Sequence, residues 1–311
     1  MNLIALLIVF VVERFATQLF HLREFHWLDS IIDWSFDHIP TESESLVGRF
    51  EKWSGFIPVI ILATILVLPV FLVVFSLSDT LFGLPYLILA VIALFLSLGP
   101  KHIGKDIDDY CTALETENED EINKTAETLT EKKLSMDPLE RIRGVEEAVC
   151  VQANNLLFAA IFWFVLLGPL GAWSYRVIDL IRRRALLNAS YDQIGHGTAD
   201  TILKPIDQLH GLFTWIPVRL TAIGYAMAGS FEGALSAWRK TENTTAKTQR
   251  EHSEELLARV SIGALALQQD EDESICDRGF NGAMAASDLV SRALFIWVVV
   301  IAVITLYGWS A

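Results

Sequence analysis

The stretch FIPVIILATILVLPVFLVVFSL, from Phe56 to Leu77, is a run of 22 residues without a charged side chain. A helix of roughly 20 apolar residues is long enough to cross the hydrocarbon core of a bilayer. Its two prolines, Pro58 and Pro69, are tolerated in membrane helices because neighbouring groups satisfy the backbone carbonyls that a proline frees. This stretch therefore predicts a helix that spans a membrane.

Three more stretches have the length and apolarity of membrane spans: residues 81–98, 156–175 and 293–308. The second of them contains Gly168 and Pro169, which predict a kink because proline removes a helical amide donor. The third contains Tyr307 and is followed by Trp309, and both side chains suit a membrane–water interface. Together with the first stretch, these segments predict four strong spans.

Two further segments are weaker candidates for membrane helices. Residues 1–20 are interrupted by Glu13 and Arg14, and residues 213–230 contain Arg219. A charge inside the bilayer is costly unless it finds a partner, so each segment either spans with its charge paired or lies re-entrant or at the interface. The sequence thus predicts an all-α, polytopic membrane helix bundle that forms a single integral membrane domain over residues 1–311.

Charge and composition exclude several classes of protein. Of the 311 residues 52% are hydrophobic, and 24 Lys and Arg stand against 38 Asp and Glu, for a formal net charge of −14. An acidic chain without a basic patch repels a phosphate backbone, so no nucleic-acid partner is predicted.

The three cysteines are far apart, and the sequence contains no CxxC pair and no HExxH motif. Neither a metal site nor a cofactor is predicted.

Two polar segments, residues 100–155 and 231–292, have the periodicity of helices. In the first, apolar side chains recur at spacings of four and three residues, as in an amphipathic helix: Ile122, Ala126 and Leu129. Asp137 followed by Pro138 predicts the start of the next helix, with Asp137 as N-cap. Basic residues near the membrane ends favour a cytoplasmic location for both segments, although the three arginines at 182–184 argue for the opposite orientation.

Polar side chains cluster just before residue 156, where one of the strong spans begins: Glu147, Gln152, Asn154 and Asn155. Glu147 and Asn154 are seven residues apart, which is nearly two helical turns, so they share a face. A carboxylate and amides at this position suit a polar ligand at the membrane surface. The alternative is that these side chains hydrogen-bond to neighbouring helices. We define them as the core of a candidate polar cleft.

Arg219 is a further candidate residue because a guanidinium cannot shed its charge. Inside an apolar helix it must be paired or must reach water. Glu147, Asp207 and Glu13 are candidate carboxylate partners, and the alternative is that the apolar stem of Arg219 lets it snorkel to the headgroups. Asp207, Trp215 and Arg219 complete the candidate polar cleft.

The aromatic and glycine-rich residues of the central span carry a resemblance to a known family. The stretch AAIFWFVLLGPLGAWSY at residues 159–175, followed by WIPVRLTA at residues 215–222, resembles the AmpE/CobD–CbiB family of membrane proteins. The resemblance covers nearly the whole chain. It implies a bacterial inner-membrane, multi-pass protein. The AmpE branch implies a signalling modulator linked to β-lactamase induction and cell-wall recycling, with the lipid bilayer and a cell-wall-recycling or signalling protein as its partners.

The other branch of the family forms an amide bond on a corrinoid, and departures from its motif favour the AmpE branch. Where that branch reads ESLAENTSDG, this chain reads EAVCVQANNL at residues 147–156. Glu147 is shared, but Val151 replaces the second acid, Gln152 replaces the asparagine and Asn155 replaces the aspartate. These replacements predict loss of synthase activity. The alternative is a CbiB-like membrane synthase that acts on a corrinoid or another large amphiphile.

Overall fold

The computed structural model describes residues 2–15, 26–37, 56–77, 84–99, 103–130, 137–190, 196–241, 248–266 and 274–307. Within these ranges the chain is helical apart from short connections, and no strand occurs. The all-α prediction is confirmed.

The helices are, in chain order, α1 Asn2–Phe15, α2 His26–Asp37, α3 Phe56–Leu77, α4 Leu84–Ser97, α5 Ile103–Glu115, α6 Glu119–Thr130, α7 Pro138–Ala153, a π-helix Asn154–Phe158, α8 Ala159–Ser190, α9 His196–Ala228, α10 Phe231–Thr241, α11 Gln249–Leu265 and α12 Ile275–Leu306. The π-helix joins α7 to α8 without a break, so residues 138–167 are continuously helical, and α8 is interrupted by a kink at Gly168.

Three helical segments in the described part of the chain are long and apolar enough to cross a membrane: Phe56–Ser76, Pro138–Ala189 and Ile275–Leu306. They contain the strong spans predicted at residues 56–77, 156–175 and 293–308. The exceptions are residue 77 of the first span and residues 307 and 308 of the third. The span predicted at 81–98 corresponds to α4, a shorter apolar helix of 14 residues.

Each of the two weaker predicted spans contributes to a helix. Residues 213–228 of the segment 213–230 form the second part of α9, which is not among the three spanning candidates. The segment 1–20 contributes α1, and its residues 16–20 lie outside the described part of the chain. Residues 81–83 of the span predicted at 81–98 lie outside it as well. The side chain of Glu13 also lies outside it.

The surface of α3 supports its place in a membrane. Large apolar residues are exposed along most of its length, each with 45% to 56% of its surface accessible. They are Ile57, Ile60, Ile61, Ile65, Leu68, Phe71 and Leu72. A long apolar surface of this kind is stable against lipid, whereas in water it is an aggregation liability.

The chain divides into two compact units. The first comprises Met1–Pro100, Ala159–Phe213 and Trp309–Ala311. Within it, α8 packs against α1 to α4. The indole Nε1 of Trp173 donates a hydrogen bond of 3.0 Å to the carbonyl of Leu66. The predicted kink is present at Gly168, whose φ of 68° breaks the helical conformation just before Pro169. An L side chain rarely adopts that φ, so glycine is required there.

The second unit comprises Lys101–Phe158 and Thr214–Gly308. Within it, α7 packs against α11 and α12, and α6 buries the apolar face that its spacing predicted. Asp137 caps α7 as predicted, because its side chain accepts a hydrogen bond of 3.2 Å from the backbone nitrogen of Leu139. The polar segments are therefore helical and contribute a core of their own.

Candidate functional site

Two residues of the candidate polar cleft, Asn154 and Asn155, lie in a defect of the helix. Asn154–Phe158 form a π-helix between α7 and α8. A π-helical turn inserts an extra residue into the hydrogen-bond ladder, and such turns are frequent at functional sites. The backbone N–H of Asn154 points at the carbonyls of both Cys150 and Val151. The defect therefore lies where the polar end of α7 meets the apolar span.

Two side chains of α9 hold this defect in place. Thr221 Oγ1 donates a hydrogen bond of 3.0 Å to Oδ1 of the fully buried Asn154. One turn further along α9, the hydroxyl of the fully buried Tyr225 donates a bond of 2.9 Å to the carbonyl of Cys150. Asn154 Nδ2 in turn donates to Asn155 Oδ1 at 3.1 Å. Because Thr221 and Tyr225 are four residues apart, they lie on one face of α9.

Aromatic rings close the apolar end of the π-helix. The ring of Phe158 meets Tyr225 edge-on, with centroids 6.0 Å apart and an interplanar angle of 87°. Trp297 of α12 packs against the same ring at 5.3 Å. Edge-to-face pairs of this kind add to the free energy gained from burial alone. The polar contacts of Asn154 are thus covered by hydrophobic packing.

The remaining residues of the predicted patch also have partners within the second unit. The buried Gln152 donates from Nε2 to the carbonyl of Leu129. Glu147 forms an ion pair of 3.0 Å with Arg143, one turn earlier on the same helix, and 31% of its side chain is exposed. The amides of Gln152 and Asn154 therefore make contacts between helices, and Glu147 is the most accessible of the three to a ligand from solvent.

Arg219 stacks on Trp215, one turn earlier on α9. Its guanidinium carbon lies 4.1 Å from the ring centroid, and Nη1 donates a bond of 3.1 Å to the carbonyl of Trp215. A cation over an indole face is attracted by the negative face of the ring. The two predicted carboxylate partners that the structure describes, Glu147 and Asp207, form ion pairs with Arg143 and Arg182 respectively.

A second polar site lies in the first unit. We define the buried charge cluster as Arg176, Asp179, Arg183 and His210. Asp179 Oδ2 lies 2.7 Å from Arg176 Nη1 and 3.0 Å from Arg183 Nε, and Asp179 Oδ1 lies 3.7 Å from His210 Nε2. Asp179 is fully buried and Arg176 nearly so. The buried Asp179 and Arg176 are tolerated because their opposite charges face one another.

Further ion pairs continue along the same helix. Asp207 Oδ1 lies 3.0 Å from Arg182 Nε. Asp207 therefore belongs with α8 in the first unit, whereas the other six residues of the candidate polar cleft lie in the second unit. Arg184 binds both carboxylate oxygens of Asp33, with Nε 2.7 Å from Oδ1, and Asn188 donates to the same oxygen at 2.8 Å. These hydrogen bonds, above all that from Arg184, lower the pKa of Asp33.

Sequence reasoning missed the buried charge cluster, although part of its signal is local. Asp179 follows Arg176 by three residues and precedes Arg183 by four, a spacing that places all three on one face of a helix. In the sequence, the arginines at 182–184 bear on membrane orientation, and their carboxylate partners are not apparent. Among the described residues, no group of three or more His, Cys, Asp and Glu side chains is arranged to hold a metal ion.

Membrane-length helices, exposed apolar helix surfaces and buried polar contacts between helices define a helical membrane protein. The chain belongs to the AmpE family, since the family model described as "Regulatory signalling modulator protein AmpE" matches residues 1–310.

One relative that aligns over the whole chain has the same family name, and two that align over part of it have another. Protein AmpE of Shigella flexneri is 25% identical over 312 residues, which cover 99% of each chain. The cobalamin biosynthesis protein CobD of Stutzerimonas stutzeri is 27% identical over 151 residues, or 48% of this chain and 47% of the relative. CobD of Chromobacterium violaceum is 29% identical over 98 residues, or 31% and 29%. The matches to the CobD relatives thus span half of their length or less. No solved structure matches this chain.

Proposed function

We propose that this protein is an inner-membrane, multi-pass signalling modulator linked to β-lactamase induction and cell-wall recycling. The observation that carries the proposal is the extent of the match: the AmpE family model covers residues 1–310, and the AmpE relative aligns over 99% of both chains. The matches to CobD cover half of this chain or less. We therefore base the proposed function on the family that matches the full length of the chain.

The surroundings of the π-helix support a role other than amide synthesis. Val151 stands where the synthase branch has its second acid, and its side chain packs against the hydrophobic core of the second unit. Gln152 and Asn154 are buried and bond to neighbouring helices. A reaction that activates a carboxylate needs charged groups that reach the substrate, and these positions supply packing instead.

The polar segments are the part of this modulator that would meet a partner protein. In the proposed orientation, residues 100–155 and 231–292 are cytoplasmic, because basic residues border them at the membrane. Glu147 and Arg143 are accessible on α7 within the first segment. A cell-wall-recycling or signalling protein that binds there would contact α7, which continues into the π-helix. The hydrogen bond between Thr221 of α9 and Asn154 of the π-helix connects this polar segment to the membrane part of the second unit.

A rescue experiment tests the proposed function. The chain is expressed in a bacterium that carries an inducible β-lactamase and lacks its own AmpE, and β-lactamase activity is followed after a β-lactam is added. We expect the wild-type chain to restore the induction response of the parent strain. As a matched control, Ile65→Leu on the exposed face of α3 should restore it equally. Failure of the wild-type chain at normal membrane levels would contradict the proposal.

The second candidate function is a CbiB-like synthase, and the partial CobD matches favour it. Its test is growth of a strain that lacks the corrinoid amide synthase, under conditions that require cobalamin. We expect no rescue, because Val151 and Asn155 replace the acids of the synthase motif. Clear rescue would overturn the assignment to a non-enzymatic modulator.

A further inference from the structure

A carboxyl group is buried where α7 meets α12. Glu146 of α7 is 8% exposed, and its side chain makes no hydrogen bond or ion pair among the described residues. A Cβ atom added to Gly282 of α12 would overlap Oε1 of Glu146, so the carboxyl group lies directly against the backbone of α12. Removing a carboxylate from water without a hydrogen bond or an opposite charge is costly. The contacts within the described chain do not offset this cost.

The hydroxyl group of Tyr110 in α5 is in a similar position. Tyr110 is fully buried, and its hydroxyl has no hydrogen-bond partner in the described part of the chain. It would lie 3.2 Å from a Cβ atom added to Gly279. Because Gly279 and Gly282 are three residues apart, Tyr110 and Glu146 face the same side of α12. Burial raises the pKa of the Tyr110 hydroxyl to about 12, so it keeps its proton at neutral pH and can donate.

Arg278 carries the opposite charge but does not reach Glu146. It is half-buried and precedes Gly282 by four residues, so it lies on the same face of α12. Among the charged side chains around Glu146, it interacts with that carboxyl group most strongly. No ion pair joins the two, and within the described ranges Arg278 has no other ion pair or side-chain hydrogen bond. Arg143 and Glu147 of α7 pair with each other instead. Glu146 therefore has a guanidinium and a hydroxyl group nearby and is bonded to neither.

The chemistry of these three groups defines the ligand that would bond to all of them. A carboxylate accepts hydrogen bonds from an ammonium group and balances its charge. A guanidinium donates to a carboxylate, with two parallel hydrogen bonds where the geometry allows. A phenolic hydroxyl can donate to the same carboxylate or accept from the ammonium group. A zwitterion carries both charged groups, whereas a simple cation or anion would satisfy only one side.

We propose that Glu146, Arg278 and Tyr110 form a binding site for a small zwitterion of the amino-acid or short-peptide class. The ammonium group of the ligand binds Glu146, and its carboxylate binds Arg278, with the Tyr110 hydroxyl as a further hydrogen-bonding group. All three residues belong to the polar segments 100–155 and 231–292. The proposal does not rest on the signalling role, because it concerns binding by the purified protein.

Isothermal titration calorimetry on the full-length protein in detergent tests this proposal. The probes are alanine and the dipeptide alanylalanine. Ethylamine and propionate are the single-charge controls, because each carries only one of the two groups. The variants are Glu146→Gln, Arg278→Gln and Tyr110→Phe. Glu140→Gln is the matched control, since Glu140 is an exposed acid of the same helix, α7.

We expect at least one of the two zwitterions to bind the wild type and Glu140→Gln with equal affinity. Because hydrogen bonds to charged groups are strong, Glu146→Gln and Arg278→Gln should each weaken binding about tenfold or more, and Tyr110→Phe should weaken it less. The same zwitterion should raise the melting temperature of the wild type and not that of Glu146→Gln. Without ligand, Glu146→Gln should melt no lower than the wild type, because it removes a buried charge that has no bonded partner.

Failure of both zwitterions to bind the wild type would overturn the proposal and would leave Glu146 as a packing residue. Equal affinity for ethylamine or propionate would also overturn it, since one charge would then be enough. So would an equal fall in melting temperature for Glu146→Gln, Arg278→Gln and the double variant, because the two residues would then form a direct ion pair. None of these results changes what is expected of β-lactamase induction, which is measured in cells.

Discussion

Thr221 Oγ1 donates a hydrogen bond of 3.0 Å to Oδ1 of Asn154, the first residue of the π-helix. Both residues are fully buried. Few other hydrogen-bond partners are within reach of a buried side chain, so losing this bond lowers the free energy of unfolding. The pair therefore couples the end of α7 to α9 and sets the geometry of the candidate site.

The first prediction concerns this bond. Asn154→Leu leaves the Thr221 hydroxyl without its acceptor, and we expect a loss of about 1–3 kcal/mol in stability, seen as a lower melting temperature in detergent. Thr221→Val should cost a similar amount. The double variant should be less destabilised than the sum of the two, because both remove one interaction. Additive losses would show that the two residues act independently.

The second prediction concerns the buried charge cluster. Asp179→Asn removes the carboxylate that lies between Arg176 and Arg183, and breaking a buried pair typically costs about 3–5 kcal/mol. We expect a large fall in melting temperature or in the yield of folded protein. Asp207→Asn is the matched control, since 32% of that side chain is exposed, and its effect should be clearly smaller. Equal effects would argue against a special role for the cluster.

The third prediction is a pH dependence at Asp33. Arg184 lowers the pKa of this carboxyl below its usual 3.8, so the pair stabilises the protein at pH values above 3.8. That stabilisation is lost as the pH falls through the lowered pKa of the folded state. We expect Asp33→Asn to melt below the wild type at neutral pH, and the difference to shrink in acid. A difference that persists unchanged at the lowest accessible pH would contradict the ion pair.

The fourth prediction concerns Arg219 and Trp215. Their stacked arrangement is worth about 1 kcal/mol at a partly exposed site. Arg219→Leu should lower the melting temperature modestly, and Arg219→Lys should recover only part of the loss, because an ammonium lacks the planar face of a guanidinium. Trp215→Leu should make the Arg219→Leu change nearly silent. If Arg219→Leu is equally harmful without Trp215, the arginine has another partner that matters more.

The fifth prediction concerns membrane orientation. A reporter enzyme that is active only in the periplasm, fused after Glu119, should be silent if residues 100–155 are cytoplasmic. A fusion after Lys240 should be silent as well. Strong activity at both positions would reverse the proposed orientation, and activity at one of them would remove a span between the two.

Features that depend on local pattern were predictable from the sequence. α3 begins and ends at Phe56 and Leu77, the residues that bound the uncharged stretch. The cap at Asp137 and the kink at Gly168 also follow from residue type, because the capping oxygen and the missing amide donor act on the adjacent turn. Predictions of this kind need no knowledge of the rest of the fold.

Hydropathy predicted only the apolar second half of the last helix. The span predicted from residue 293 lies within α12, which begins at Ile275. Its first half is amphipathic: it buries Gly279, Gly282 and Ala286 while exposing charged residues. An apolar-run criterion detects lipid-facing turns and misses turns that pack one face on protein.

The buried charge cluster was beyond local reasoning for a different reason. Its arginines and Asp179 share a helical face, but His210 comes from α9 and is brought to them only by tertiary packing. The pair between Asp33 and Arg184 joins positions 151 residues apart. Such partners follow from the arrangement of helices, which a single sequence without homologues does not reveal.

The central claim is that this protein modulates cell-wall signalling and does not make an amide on a corrinoid. The most direct measurement is a metabolite profile of a strain in which its gene is deleted, grown with and without a β-lactam. We expect altered levels of soluble cell-wall fragments and unchanged corrinoid intermediates, with the wild-type gene restoring the parental profile. Unchanged cell-wall fragments together with an accumulated corrinoid precursor would contradict the account.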